Sequence, residues 1–198
     1  MSSRKEQREA TRNKILDAAL EAFSELGYHG ASTRDIAARA GVRQSLLTYH
    51  FSNKEEIWKE AVGGHMSALR QSLLQRHLPH ALSPELLREL VRDYVRHLAA
   101  NPQLFRIMVD VGKEPSERLQ WLVTTHLEPV FLGFVKEARA IGMFPKGVHP
   151  AHVLFMMIGA SSMIFAVANT CKGMTGLDPT TPEAIETHAE LVARTLVP

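Results

Sequence analysis

Between Thr33 and Lys54 a run of hydrogen-bonding side chains is set around a small apolar skeleton. Ile36, Ala37, Ala40, Val42 and Leu47 recur at helical intervals on either side of Gly41, which predicts two short helices joined by a tight turn. The residues outside that skeleton, among them Arg34, Arg43, Gln44, Ser45, Thr48, Tyr49 and His50, are donors and acceptors. The chemistry such a unit suits is contact with duplex DNA: the second helix enters the major groove while the first crosses the backbone. Signatures of catalysis are missing, with no Gly-rich phosphate loop, nucleophile elbow or His-Glu-x-x-His. His77-Leu-Pro-His80 and His149-Pro-Ala-His152 have metal-like spacing, but no cysteine or nearby carboxylate cluster completes a shell. Neither an enzyme nor a metal or other cofactor is expected.

These residues need a helical frame, and helical spacing recurs along the whole chain without sustained period-two alternation. The expected fold is all-α: an N-terminal three-helix domain with a helix-turn-helix over residues 1–54, and a C-terminal helical domain over 55–198. The first helix is expected from about Thr11 to Leu26, with Ile15, Ala19, Ala22, Phe23 and Leu26 inward and Gly27 ending it. The second begins near Ser32 or Thr33, either of which can cap it, and the third spans about Arg43 to His50. Ser52 with Glu55, or Asn53 with Glu56, offers a capping box for a fourth helix that Gly63-Gly64 is expected to interrupt. Ser83-Pro84, Asn101-Pro102 and Thr181-Pro182 pair an N-cap with proline at the first helical position, and Thr180 with Glu183 offers another box. Pro115 and Pro150 mark two more starts.

Charge is uneven. Residues 1–54 hold nine basic groups against six acidic ones, while the rest of the chain is close to neutral, a distribution suited to phosphate binding at one end. The single Cys171 excludes an intramolecular disulfide framework and reads as a small, half-buried thiol rather than a redox sensor. Met1 to Arg12 is polar and has no signal-peptide pattern, and the longest apolar run, Val153 to Ala168, is too short to cross a bilayer; a cytoplasmic protein is expected. Arg4, Lys5 and Arg8 lie in a stretch that reads either as a solvated tail or as a flexible arm tracking the minor groove.

From about Ile15 to Trp58 the chain closely resembles the N-terminal domain of the tetracycline-repressor (TetR) family of bacterial regulators. The match runs in register through Ile15-Leu16-Asp17-Ala18-Ala19, Phe23, Gly27-Tyr28, Thr33, Ile36-Ala37, Ala40-Gly41-Val42, Leu47, Tyr49, Phe51 and Asn53-Lys54-Glu55-Glu56. The resemblance implies a transcriptional regulator, a repressor by expectation. It implies that Thr33 holds a phosphate at a helix N-terminus, that Arg34 reaches a base edge, and that Tyr49, His50 and Lys54 contact phosphates. Gln44, Ser45 and Thr48 fall on the reading face, where Gln44 suits adenine; Arg43 lies at its edge. Thr48 stands where many members have tyrosine and Leu46 where a small or hydroxyl residue is usual, so base preference does not carry over.

Beyond about Trp58 the resemblance is loose, and it implies that residues 55–198 form a helical domain for ligand binding and dimerisation. Phe105, Met108, Trp121 and His126 are the candidates for lining an effector cavity between helices. Val153 to Ala168, apolar on nearly every face, pairs with a stripe of Ile185, Ala189, Val192 and Leu196 in an expected four-helix bundle that makes a two-fold homodimer. A dimer implies an inverted-repeat operator on double-stranded DNA, and Gly63-Gly64 is either a hinge for ligand-triggered release or a simple break. The competing reading is a helical module binding a small molecule or protein, with the helix-turn-helix vestigial.

Overall fold

Capping chemistry sets most of the helix starts. Ser3 and Glu6 form a reciprocal capping box, so α1 (Arg4–Gly30) begins seven residues earlier than the apolar periodicity alone suggests. Ser32 accepts from the Asp35 N–H at 3.0 Å and starts α2 (Thr33–Arg39); Arg43 precedes α3 (Gln44–His50) without a side-chain cap. Of the two overlapping boxes near residue 53, Asn53 supplies the cap of α4 (Lys54–His77): its Oδ1 accepts from the Glu56 N–H at 2.8 Å, and Glu56 reaches back to the Ser52 N–H at 2.6 Å.

The computed structural model describes residues 3–77, 83–140, 142, 144 and 147–197, and every regular element among them is a helix. The body contains α5 (Pro84–Ala100), α6 (Pro102–Val111), α7 (Glu117–Leu122), a π-helical turn (Val123–Leu127), α8 (Glu128–Ala140), α9 (Pro150–Ala166), α10 (Ala168–Thr175) and α11 (Pro182–Leu196). Ser83 and Thr181 cap α5 and α11 with proline at the first helical position; Thr180 instead donates to Asp178, so the box expected from Thr180 and Glu183 does not form. Ser116 caps α7, leaving Pro115 just outside it. His149 caps α9 through Nδ1, which accepts from the Ala151 N–H at 3.2 Å, so the His149/His152 pair has a helix-end role. His77-Leu-Pro-His80 lies outside the described residues, among which no cluster suited to a metal ion is found.

Two cores result. The first joins α1, α2, α3 and the start of α4 to α6 and α7: Ile15, Phe23, Ile36, Leu47, Ile57 and Trp58 are buried with Leu104, Ile107 and Leu122. Leu26, expected inward, is 47% exposed. The head core is therefore not closed within residues 1–54 but is completed by body helices. The second core gathers α5, α8, α9 and α11 around Leu87, Val91, Val95, Ala138, Phe165, Ala189 and Val192. Ion pairs Arg92–Glu190 at 2.8 Å and Arg96–Glu186 at 2.6 Å run between α5 and α11 beside it. The stripe Ile185, Ala189, Val192 and Leu196 thus packs within its own chain rather than forming a free dimer face.

Gly63-Gly64 does not interrupt α4, which is continuous through both residues. α9 and α10 meet at a 76° bend, and among the described residues no single helix is long and apolar enough to cross a membrane.

Burial pushes the imidazoles of His50, His97 and His126 below their ordinary value of 6.5, helped at His50 by Arg8 and Arg12, at His97 by His65 and at His126 by Arg70. Below that value the unfolded chain binds protons that the native one does not, so stability is fully present above it and is lost as pH falls through it. Thermal unfolding followed by circular dichroism should show a lower Tm at about pH 5.5 than at about pH 7.5; an unchanged or higher Tm on acidification contradicts this.

Candidate DNA interface and effector cavity

The start of α3 is tied to the start of α2. Gln44 donates through Nε2 to Thr33 Oγ1 at 3.0 Å, so a predicted base reader and a predicted phosphate anchor hold each other in place. Thr48 donates its hydroxyl back to the carbonyls of Ser45 and Gln44, at 3.0 and 3.2 Å, leaving only acceptor capacity on its oxygen. Arg34, Arg43 and Ser45 are exposed, and among the described residues the two guanidinium groups have no ion pair. Tyr49 is 66% exposed, an unusual setting for a large aromatic without an external partner, and Leu46 is also exposed. Arg39, by contrast, is spent within the fold on Glu25 and Asp35.

The basic N-terminal stretch is helix rather than a flexible arm or tail from Arg4 onward, and it runs over the end of α3. The Arg8 guanidinium lies 5.5 Å from the Tyr49 ring centre, and Arg12 lies 4.7 Å from that of Phe51 while pairing with Glu60. Arg8 thus joins the same polar surface as Tyr49 and His50. The sequence carried a signal for this, the Ser3-x-x-Glu6 box followed by Arg4, Arg8 and Arg12 at four-residue intervals. His50 is half-buried with Nδ1 unpartnered among the described residues, and burial together with Arg8 and Arg12 favours its neutral form.

Lys54 has structural partners. Rather than projecting freely as a phosphate anchor, its ammonium donates to the carbonyls of Tyr28 and Ala31 at 2.9 and 3.0 Å and sits 4.4 Å from the Tyr28 ring centre. Two of its three N–H groups are engaged in closing the end of α1.

Of the four residues expected to line an effector cavity, Phe105 and Met108 do so. The cavity has a volume of about 560 Å³, within the range of small-molecule sites, and lies between α4, α5, α6, the π turn, α8 and α9. Met66, Tyr94, Leu98, Phe131, Leu154 and Ile158 also line it; spacing alone reads them as core, and nothing local distinguishes the two roles. Trp121 and His126 are elsewhere. The His126 ring packs edge-on to Trp121 at 4.9 Å, Trp121 packs on Trp58 at 5.7 Å, and both approach Gly63 of α4 so closely that a Cβ there would lie 3.1 Å from Trp121 and 3.2 Å from His126 Nε2. Gly63 is explained by that approach; around Gly64 there is open space.

Cavity and head share elements. On α6, Leu104, Phe105 and Met108 face the cavity, while Asp110 accepts from the Tyr28 N–H at 3.4 Å; hydrogen bonds from Lys113 and then Tyr28 hold its carboxyl below the usual range. In the π turn, Val123 and Leu127 line the cavity while His126 meets α4.

Residues 15–61 match the family of bacterial regulatory proteins described as tetR, and residues 84–196 match the tetracyclin repressor-like C-terminal domain. The chain belongs to the TetR family. That is a family of regulators rather than of enzymes. Over 66 residues it is 36% identical to the biofilm operon icaADBC negative transcriptional regulator IcaR of Staphylococcus epidermidis, covering 33% of this chain and 36% of that protein. Over 120 residues it is 31% identical to the transcriptional activator FasR of Mycolicibacterium smegmatis, covering 60% of this chain and 55% of that one. The matches thus span between about a third and about half of these relatives' own lengths. In fold it is similar to AibR, crystallised in complex with isovaleryl coenzyme A and operator DNA, with a TM-score of 0.72 at 20% identity over 95% of this chain and 98% of that one.

In this TetR-family chain the placements of Lys54 and Gly63 separate structural from functional roles. Lys54→Met should lower stability by about 1–2 kcal/mol by orphaning two carbonyls, read as a lower urea midpoint; a purely DNA-contacting lysine would leave the midpoint unchanged. Gly64→Ala should stabilise α4 by up to about 1 kcal/mol, whereas Gly63→Ala should destabilise it, because Trp58, Trp121 and His126 are packed against one another and have little room to yield. Matching shifts for the two alanines would show that the Gly63 contact is unimportant.

Proposed function

We propose that the protein is a ligand-responsive transcriptional regulator, a repressor, that binds an inverted-repeat operator as a homodimer and is released by a small-molecule effector. Residues 1–54 carry DNA binding and residues 55–198 carry effector binding and dimerisation, with body helices completing the head core. The carrying observation is the polar face of α2 and α3, with Arg34, Arg43, Gln44, Ser45 and Tyr49 exposed on a chain of this family. Arg34, Gln44, Ser45 and Thr48 are assigned to base edges and Thr33, Arg43, Tyr49 and His50 to phosphates, with Arg8 added; Lys54 keeps one N–H for a phosphate beyond its structural bonds.

Dimerisation is supported by an uncovered apolar surface. Phe155 and Met156 on α9 are 66% and 64% exposed, and Leu191 on α11 is 61% exposed. Repression follows the activity named for IcaR, whereas FasR is named an activator, so the direction of regulation is tested separately. The site of action is the cytoplasm, where the operator is.

Release is assigned to α6 and the π turn, each of which has one side in the cavity and another on the head or α4. Occupancy shifts these elements, α4 follows through Gly63, and the two heads leave the spacing that successive major grooves require.

Selection from random duplex DNA should recover an inverted repeat; failure to enrich any sequence argues for a vestigial helix-turn-helix. Against the selected operator, Arg34→Ala should cost about 1–3 kcal/mol and relax preference at one position per half-site, while Arg43→Ala should weaken all sequences alike and reduce the salt slope by about one per protomer. A reporter driven from the operator should be silenced by the protein; stimulation overturns repression alone.

A further inference from the structure

Among the described residues the cavity lining contains four side chains with polar groups: Arg70, Tyr94, Glu128 and His149. Arg70, Glu128 and His149 are exposed, so solvent reaches them, and His149 already uses Nδ1 to cap α9. Tyr94, on α5, is the partly buried member of the four, and its hydroxyl has no hydrogen-bond partner among the described residues. Burial alone pushes its phenol up to about 12, so the group keeps its proton and is a donor across the physiological range. The remaining wall is hydrocarbon, aromatic ring and methionine: Leu98, Phe105, Met108, Phe131, Leu154 and Ile158 among others. A lone donor in such a wall is costly to leave unmade, and a full charge placed beside it is costlier still.

We infer that the effector is an uncharged lipophile, an apolar body carrying a hydrogen-bond acceptor such as a carbonyl or ether oxygen that takes the Tyr94 O–H. Any charge on the molecule stays at the mouth, where Arg70 and Glu128 offer both signs in contact with water. This rests on the reading of the cavity as the effector site. Among the described residues a carboxylate buried at Tyr94 would lack a cation, since Tyr94 supplies a single neutral donor. A pure hydrocarbon fills the space but leaves the phenol unpaired. Selectivity therefore comes from one hydrogen bond in an apolar setting, and the body of the ligand contributes affinity by burial.

The full-length protein is titrated with the neutral fluorophore N-phenylnaphthylamine, which is then displaced by three nine-carbon linear probes: methyl heptyl ketone, nonene and nonanoate. The ketone should displace at about fivefold lower concentration than the alkene, and nonanoate should be the weakest. Tyr94→Phe removes only the unpartnered hydroxyl; it should bring the ketone to the level of the alkene or below it, while the alkene holds or gains affinity. A ketone advantage that survives Tyr94→Phe, or nonanoate as the best competitor, overturns the inference while leaving the effector site standing. Leu154→Trp fills the cavity and should abolish the fluorophore signal; a retained signal in a variant with native circular dichroism places the probe elsewhere and overturns the effector-site reading itself.

Discussion

Tyr28 is the point at which head and body are locked together. Its N–H goes to Asp110 of α6, its carbonyl accepts from Lys54 of α4, and its ring stacks on Phe23 of α1 at 5.8 Å. The same ring takes Lys54 at 4.4 Å and Arg118 of α7 at 3.6 Å, and Arg118 also pairs with Glu55 at 3.2 Å. Gly27 makes this possible. Its φ of +68° kinks α1 three residues before its end, and a Cβ there would come within 2.9 Å of the Asp110 carboxylate. One backbone kink therefore engages three body or linker helices, and the orientation of the DNA-reading helices relative to the cavity depends on it.

That lock explains why the head is not autonomous. A three-helix unit of about fifty residues buries little apolar surface, and small domains of this size are marginal. Here Leu104, Ile107 and Leu122 complete the core around Phe23, Ile57 and Trp58. Of these helices α6 also lines the cavity, and α7 runs directly into the cavity-lining π turn, so a change in cavity shape cannot be absorbed by the body alone. Close packing transmits it, because interiors have few voids into which a displaced side chain can relax. The π turn fits the same scheme: its wider register places Val123 and Leu127 on one side and His126 on another within five residues.

The cavity and the reading face divide labour by polarity. The α2 and α3 surface is rich in hydrogen-bonding groups that water can satisfy until DNA replaces it. The cavity has few, and its interior donor at Tyr94 is left for whatever enters. The exposed methionines Met156 and Met163 of α9, next to Phe155 at the edge of the cavity, form a third, apolar surface that the second core leaves uncovered.

Local order was legible in the sequence because it depends on neighbours a few residues apart. Helix class, the two short helices around Gly41, the Ser83, Asn101 and Thr181 starts and the inward set Ile15, Phe23, Ile36 and Leu47 all follow from caps and three- and four-residue spacing. The family followed from residues matched in register over the head. What spacing could not decide was which partner a given side chain meets across the fold. Lys54 looks like a free cation until α1 brings two carbonyls to it, Trp121 and His126 look like cavity walls until α4 presents Gly63, and the stripe on α11 finds α5 and α9 before it finds another chain. Those choices are made by contacts distant in sequence, where the same apolar or charged residue type serves several roles and only packing selects one.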